Sequence, residues 1–238
     1  MLSEIRIGKF TSSQAVKLVS KGKGDPFGKP FYTYVKSRRQ ERNAGRALDG
    51  GSGGRATVWG SFVENWLMFK RPDIIGMEYT LTPQRTDVHP TIADWCGSRD
   101  GFNNDTGAVI DIKCPYTMQS FCDFADCKNI DEVRAEHTDG DKYYWQLVSN
   151  ACIAGVDKAE LIIFCPNEEQ LQGIQEYAVM GTHDFGNDVY FIGNGDVSEL
   201  PYLPVTAKYS NVLRFAFDVP QADKDFLTER VQAAVKLV

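Results

Sequence analysis

The sequence predicts one α/β domain, a mixed sheet flanked by helices, and three observations carry that reading. Apolar positions recur at helical spacing over 56–69 and again over 142–154. Short strand-like runs occupy 75–81, 91–102, 108–114 and 159–164. Their order along the chain is helix, three strands, helix, strand. At 238 residues, 42% hydrophobic and 24% charged, the chain can bury a large core without staples.

Taken in order, the segment from Ile5 to Ser20 carries Val16, Leu18 and Val19 behind a Thr-Ser-Ser stretch, in which Thr11 or Ser12 is placed to cap a short helix. The run KGKGDPFGKP reads as a loop. Residues 30–47 are amphipathic, basic and aromatic (Tyr32, Tyr34, Lys36, Arg38, Arg39, Arg42, Arg46), which predicts a helix, and DGGSGG after them predicts a flexible break. Val58, Trp59, Phe62, Val63, Trp66, Leu67 and Phe69 mark a core helix. The strands 91–102 and 108–114 are joined by NNDTG, a hairpin turn. An irregular acidic stretch follows, then a buried helix from Lys142 ended by Gly155, and a buried strand ended by Pro166. In the tail, strands are expected near Tyr177, at 189–192 and at 212–217. A last helix is expected from about Asp223, with Phe226, Leu227, Val231 and Val235 inward. The core thus covers about 56–166, between a basic N-terminal segment over 1–55 and a C-terminal extension over 167–238.

Net charge is -6, yet it is unevenly spread. Residues 1–71 hold 14 Lys and Arg against 5 Asp and Glu, whereas the remainder holds 12 against 27. A basic surface built by the first third suits a polyanion, and the acidic remainder suits a metal or plain solubility. The six cysteines show no CxxC pair, so reduced thiols are expected rather than disulfides or a zinc site. No apolar run approaches the roughly 20 residues of a membrane span, and MLSEIRIGKF lacks a signal peptide's apolar stretch, so a cytoplasmic protein is expected.

The stretch AVIDIKCPYT places charges inside an apolar strand. Alternation puts Val109, Asp111 and Lys113 on one face and Ile110 and Ile112 on the other. Alone, this fits a half-exposed ion pair contributing ~0 to 1 kcal/mol. If NNDTG turns the chain back, however, Asp100 meets Asp111, with Lys113 beside them. Two close carboxylates repel, and a divalent cation resolves the conflict; Mg²⁺, with Mn²⁺ as the alternative, prefers such oxygen ligands. A metal held by Asp100, Asp111 and the Ile112 carbonyl would polarise a phosphodiester and activate water. Lys113 would then serve as general base or remain charged to stabilise the transition state.

The succession SRDGF, DIKCPYT and YYWQLV resembles the PD-(D/E)XK nuclease superfamily, and within it the YqaJ-type viral recombinases of the phage lambda exonuclease kind. IRIGKFTSSQAV and VWGSFVENW resemble that family's N-terminal arginine and serine segment and its Trp-Gly then Glu helix. The resemblance covers roughly Arg6 to Phe164. It implies a restriction-endonuclease-like core of order αβββαβ and a metal-dependent exonuclease that degrades duplex DNA from the 5′ end, leaving 3′ overhangs for recombination in a bacterial or phage-infected cell. Residue by residue, it makes Asp100 and Asp111 metal ligands, Lys113 the catalytic lysine and Glu64 an acidic group near a second ion. Gln146 and Tyr143 would border the site, and Arg6, Ser13 and Ser98 would grip the 5′-phosphate. It also implies double-stranded DNA ends as substrate, a single-strand annealing protein as partner, and a trimeric homo-oligomer. Arg99 stands where the family usually has Pro, and would contact DNA or point to solvent; Asp111 stands where many members have Glu. Those departures keep open a non-catalytic DNA-end-binding protein, and the superfamily also contains RecB-like nucleases and endonucleases. His89, His137 and His183 have no partner spacing and receive no role.

Overall fold

The computed structural model describes residues 4–48, 53–83 and 85–238. A 3-10 turn at Glu4–Arg6 leads into β1 (Phe10–Thr11), a second turn at Ser12–Gln14 and the single-turn helix α1 (Ala15–Leu18). Thr11 flanks that second turn in extended conformation, but its side chain makes no capping bond; its hydroxyl lies 3.2 Å from the Tyr34 hydroxyl instead. Helix α2 (Lys29–Ala44) ends at Gly45, whose φ of 65° is left-handed, and buries Phe31, Tyr34 and Val35. Most of the expected break, residues 49–52, lies outside the described residues. Helix α3 (Arg55–Lys70) follows, with Trp59, Phe62, Val63, Trp66 and Leu67 buried, while Phe69 in its last turn is 52% exposed.

Next come β2 (Tyr79–Leu81), β3 (Asp87–Val88), β4 (Trp95–Gly97), β5 (Gly101–Asn103) and β6 (Ala108–Lys113). The run 91–102, expected as one strand, is therefore two. β4 pairs with β1 and β3 in a small sheet of order β1-β4-β3, whereas β5 enters the main sheet. The break has a tertiary cause. At Gly97 an added Cβ would lie 2.1 Å from Ser12 Oγ and 2.5 Å from Asn150 Oδ1, so β4 is locked against the N-terminal segment. The chain crosses to the second sheet over Ser98–Asp100, where the Asp100 N–H donates to the Ile110 carbonyl at 3.1 Å.

The stretch expected to be irregular holds two helices, α4 (Met118–Ala125) and α5 (Ile130–Glu136), capped by Thr117 and Asn129 side chains that accept from Ser120 N and Glu132 N. Helix α6 (Gly140–Ala154) ends at Gly155 (φ 69°) and feeds β7 (Lys158–Phe164), which lies parallel to β6. The tail departs further from expectation. Tyr177 belongs to α7 (Glu168–Met180), started by a capping box between Asn167 and Gln170, and 189–192 forms a 3-10 turn running into α8 (Tyr190–Gly193). β8 (Val212–Asp218) and α9 (Gln221–Val235) fall where predicted, with Leu227 and Val231 buried and Phe226 and Val235 partly so.

The main sheet has the order β2-β5-β6-β7-β8, antiparallel except for the β6/β7 pair. Parallel neighbours need a long crossover, which α4, α5 and α6 supply. Alternation divides the apolar residues between two cores. Val109, Leu161 and Ile163 face the one built with α2, α6 and α9; Ile110, Ile112, Ile162 and Phe164 face the one built with α3 and α7. Among the described residues no helix is long and apolar enough to cross a membrane.

Candidate active site

The hairpin places the acidic motif. Gly107 takes the left-handed conformation (φ 73°) that closes the turn, and the register pairs Gly101 with Ile110, so Asp100 comes opposite Asp111. Asp100 Oδ2 accepts the Ile112 N–H at 2.6 Å, which ties its carboxylate to the backbone of β6. Asp111 is 1% exposed. Its Oδ1 accepts from Gln146 Nε2 on α6 at 2.5 Å, and its Oδ2 lies 2.6 Å from Lys113 Nζ. That ammonium also donates to the Ile112 carbonyl at 3.2 Å and sits 5.6 Å from the centre of the Tyr143 ring. The Lys113 contact is a short charge-assisted pair, and it is the partner that Asp111 Oδ2 has in this buried setting.

The electrostatics follow from crowding. Glu64, half-buried on α3, has its pKa pushed up to about 7, chiefly by burial, with Asp111 adding to the shift and Lys113 opposing it. Burial, then Glu64 and Asp111, likewise push the Asp100 carboxyl well above the usual range, against the pull of Lys113 and the Ile112 N–H. Burial works against the Lys113 ammonium, but Asp111, Asp100 and Glu64 outweigh it and the lysine holds its proton more tightly than usual. Three carboxylates thus share one ammonium.

That donor set fits a hard divalent cation: the carboxyl groups of Asp100, Asp111 and Glu64 are all oxygen donors, and their mutual repulsion is what a bound cation would relieve. It is not a finished cage. Among the described residues no three His, Cys, Asp or Glu side chains stand close enough together to hold an ion as they are. The Lys113 ammonium instead occupies the contact that Asp111 Oδ2 and the Ile112 carbonyl offer.

The N-terminal residues gather elsewhere. Arg6 and Ser13 line one pocket of about 660 Å³, between the first residues and α2, together with Thr11, Lys17, Tyr34 and Arg38. Glu41, buried on α2, accepts the Gly8 N–H at 2.9 Å and pairs with Arg38 at 2.8 Å, while Arg42 Nε donates to the Gly8 carbonyl at 2.9 Å. The turn carrying Arg6 is thereby clamped to α2. The Nε atoms of Arg6 and Arg38 are buried without an acceptor, the mirror image of the surplus at Asp111. Ser98 is not part of this pocket's lining; its hydroxyl pairs with Thr86 Oγ1 at 3.0 Å. Arg99 is partly buried: its Nη1 pairs with Asp87 at 2.5 Å, over the Phe102 ring.

The sequence matches no protein-family model and no curated protein. Solved structures do match. The chain is similar to an alkaline exonuclease (LHK-Exo) from Laribacter hongkongensis, at 18% identity and a TM-score of 0.60, over 98% of this chain and 89% of that one. The same enzyme in complex with dAMP gives the same score, covering 98% and 90%. A phage-related exonuclease from Haemophilus somnus 129PT matches at 15% identity and a TM-score of 0.61, over 96% and 92%. The chain therefore has the fold of these exonucleases, and the likeness extends through the tail that the sequence motifs did not reach.

Arg38 and Lys17 in the pocket, and Ser149 and Asn150 on α6, carry no role in the sequence motifs. Arg38 was visible only as one basic residue among several on its helix. Ser149 and Asn150 carried a signal, since polar residues in an otherwise buried helix need partners.

Proposed function

We propose that this protein is a metal-dependent DNA exonuclease that hydrolyses linear duplex DNA from the 5′ end and leaves 3′ overhangs for recombination. The single observation that carries the reading is the convergence of Asp100, Asp111 and Lys113 on one hairpin. The shared fold with exonucleases supports it.

Asp100, Asp111 and the Ile112 carbonyl would hold Mg²⁺ or Mn²⁺, with Glu64 beside a second ion, and the cation would supply Lewis-acid activation of the phosphodiester and of water. Gln146 fixes the Asp111 carboxylate through its 2.5 Å bond. Lys113, kept protonated by its acidic neighbours, acts as an ammonium that faces the charge developing on the phosphorane-like transition state. Its present partners are the Asp111 carboxylate and the Ile112 carbonyl, two of the oxygens that would hold the ion. Tyr143 packs beneath that ammonium. Arg6 and Ser13 receive the 5′-phosphate, Arg38 and Lys17 add positive charge around it, and Ser98 acts at the neighbouring strand end. Gripping the end brings the next phosphodiester to the carboxylates, which turns hydrolysis into directional end processing.

One observation favours a second reading, a non-catalytic DNA-end-binding protein: Lys113 already occupies the contact a cation would take. End-labelled linear and circular duplexes, incubated with Mg²⁺, separate the two. The nuclease reading expects nucleotides from linear duplex alone, faster from 5′-phosphoryl ends. Tight end binding without release would support the second.

A further inference from the structure

Helix α6 touches both halves of the proposed site along one face. Gln146 reaches Asp111 at 2.5 Å. Three residues on, Ser149 Oγ lies 2.8 Å from Ser12 Oγ and accepts from Trp95 Nε1 at 2.8 Å. One residue further, Asn150 Nδ2 donates to the Ser98 carbonyl at 3.4 Å. All three α6 side chains and Ser12 are buried. Positions three and four apart share a helix face, and four residues rise roughly 6 Å.

The polar partners are not scattered. Ser12 directly precedes Ser13, and Ser98 is itself a candidate contact of the 5′-phosphate. Leu147, Val148 and Ala151 already supply apolar packing for α6, so adhesion alone does not require these bonds. Buried hydrogen bonds are directional; they fix distances that apolar contacts leave adjustable. The seam is also closed to adjustment at Gly97, where even a Cβ would collide with Ser12 Oγ and Asn150 Oδ1.

We propose that Ser149 and Asn150 are positioning residues: through α6 they hold the end-gripping segments at a fixed distance from Asp111 and thereby set which phosphodiester is cut. The proposal rests on the nuclease reading above. DNA rises about 3.4 Å per nucleotide along a strand, so a looser seam lets the neighbouring phosphodiester compete. Misplacement by about 1 Å can cost on the order of 100-fold in rate.

The test compares the wild-type chain with Ser149→Ala and with Asn150→Leu, which keeps the size of the side chain but removes the donor to Ser98 without adding a charge. End-labelled linear duplexes bearing a 5′-phosphate or a 5′-hydroxyl are digested in Mg²⁺, and both product length and the ratio of the two initial rates are read. Thermal melting confirms that each variant is folded; should Ser149→Ala fail to fold, Asn150→Leu and Asn150→Ser decide. The wild type should release one product length with a strong preference for the 5′-phosphate. Folded variants should give mixed lengths and a preference reduced about tenfold, a fraction of the misplacement cost above. Variants that keep both the length and the preference, or that slow equally on both ends, would overturn the proposal. A wild-type protein that releases nothing in Mg²⁺ gives a different result, rejecting the nuclease reading and the register claim together.

Discussion

The carboxylate cluster on β6 and the basic pocket beside α2 are opposites in build and in charge. The first gathers at the centre of a five-stranded sheet, Asp111 on β6 and Asp100 just before β5, with these carboxylates tied by Gln146 and by the Ile112 N–H. The second is assembled from a 3-10 turn, a two-residue strand and one helix, clamped at Gly8 by Glu41 and Arg42. One holds more carboxylates than counter-charges; the other leaves buried guanidinium donors without acceptors. Each is short of the charge that its proposed guest carries, a divalent cation in one case and a phosphate in the other. The contrast teaches that the carboxylates are brought together by hairpin register, a local rule, while the basic pocket is shaped by side-chain clamps between distant segments.

The largest effect should come from the sheet. Asp111→Ala or Lys113→Ala should lower nucleotide release from linear duplex by about 10³-fold or more, while leaving duplex-end binding in place. Cleavage that persists in either variant would dissolve the distinction between the two regions. Arg6→Gln should do the reverse. It should reduce the preference for 5′-phosphoryl over 5′-hydroxyl ends by about 10-fold to 100-fold, the worth of a charge-assisted hydrogen bond, with little change on 5′-hydroxyl ends. Lys17→Gln should lower the slope of log affinity against log salt by about one in an end-binding titration.

The smallest effect is on stability and has a definite sign. The folded-state pKa of Glu64, about 7, lies above its ordinary value of 4.5, so its contribution is fully present below pH 4.5 and is lost as pH rises through 7. Without added metal, Glu64→Gln should therefore melt at a higher temperature than wild type at pH 8. The gain, discounted for partial exposure, is on the order of 1 to 2 kcal/mol and should vanish at pH 4.

The acidic half was legible in the sequence because it obeys local rules. Alternation placed Asp111 and Lys113 on one face, and the NNDTG turn fixed which residue faces which. In the basic half the motif resemblance grouped Arg6, Ser13 and Ser98, of which the pocket holds the first two, but its shape was not legible, since it depends on contacts between residues more than thirty apart, such as Gly8 with Glu41. The two strands within 91–102 read as one because nothing in Ser98–Asp100 announces a change of sheet; the cause is Asn150, far along the chain. Helices α4, α5 and α7 were missed although Thr117, Asn129 and the Asn167–Gln170 capping box announce them. Phe121 and Phe124 in α4, and Leu171, Ile174 and Tyr177 in α7, also recur at helical spacing, so periodicity and caps agreed there.

Capture of a divalent cation by the hairpin carboxylates is most directly tested by Mn²⁺ uptake, followed by electron paramagnetic resonance at neutral pH, on the wild-type chain and on Asp111→Asn. The account predicts that the wild type removes Mn²⁺ from solution and that the variant binds it at least tenfold more weakly, about 1.4 kcal/mol. Equal binding by both proteins, or none by the wild type, would contradict it.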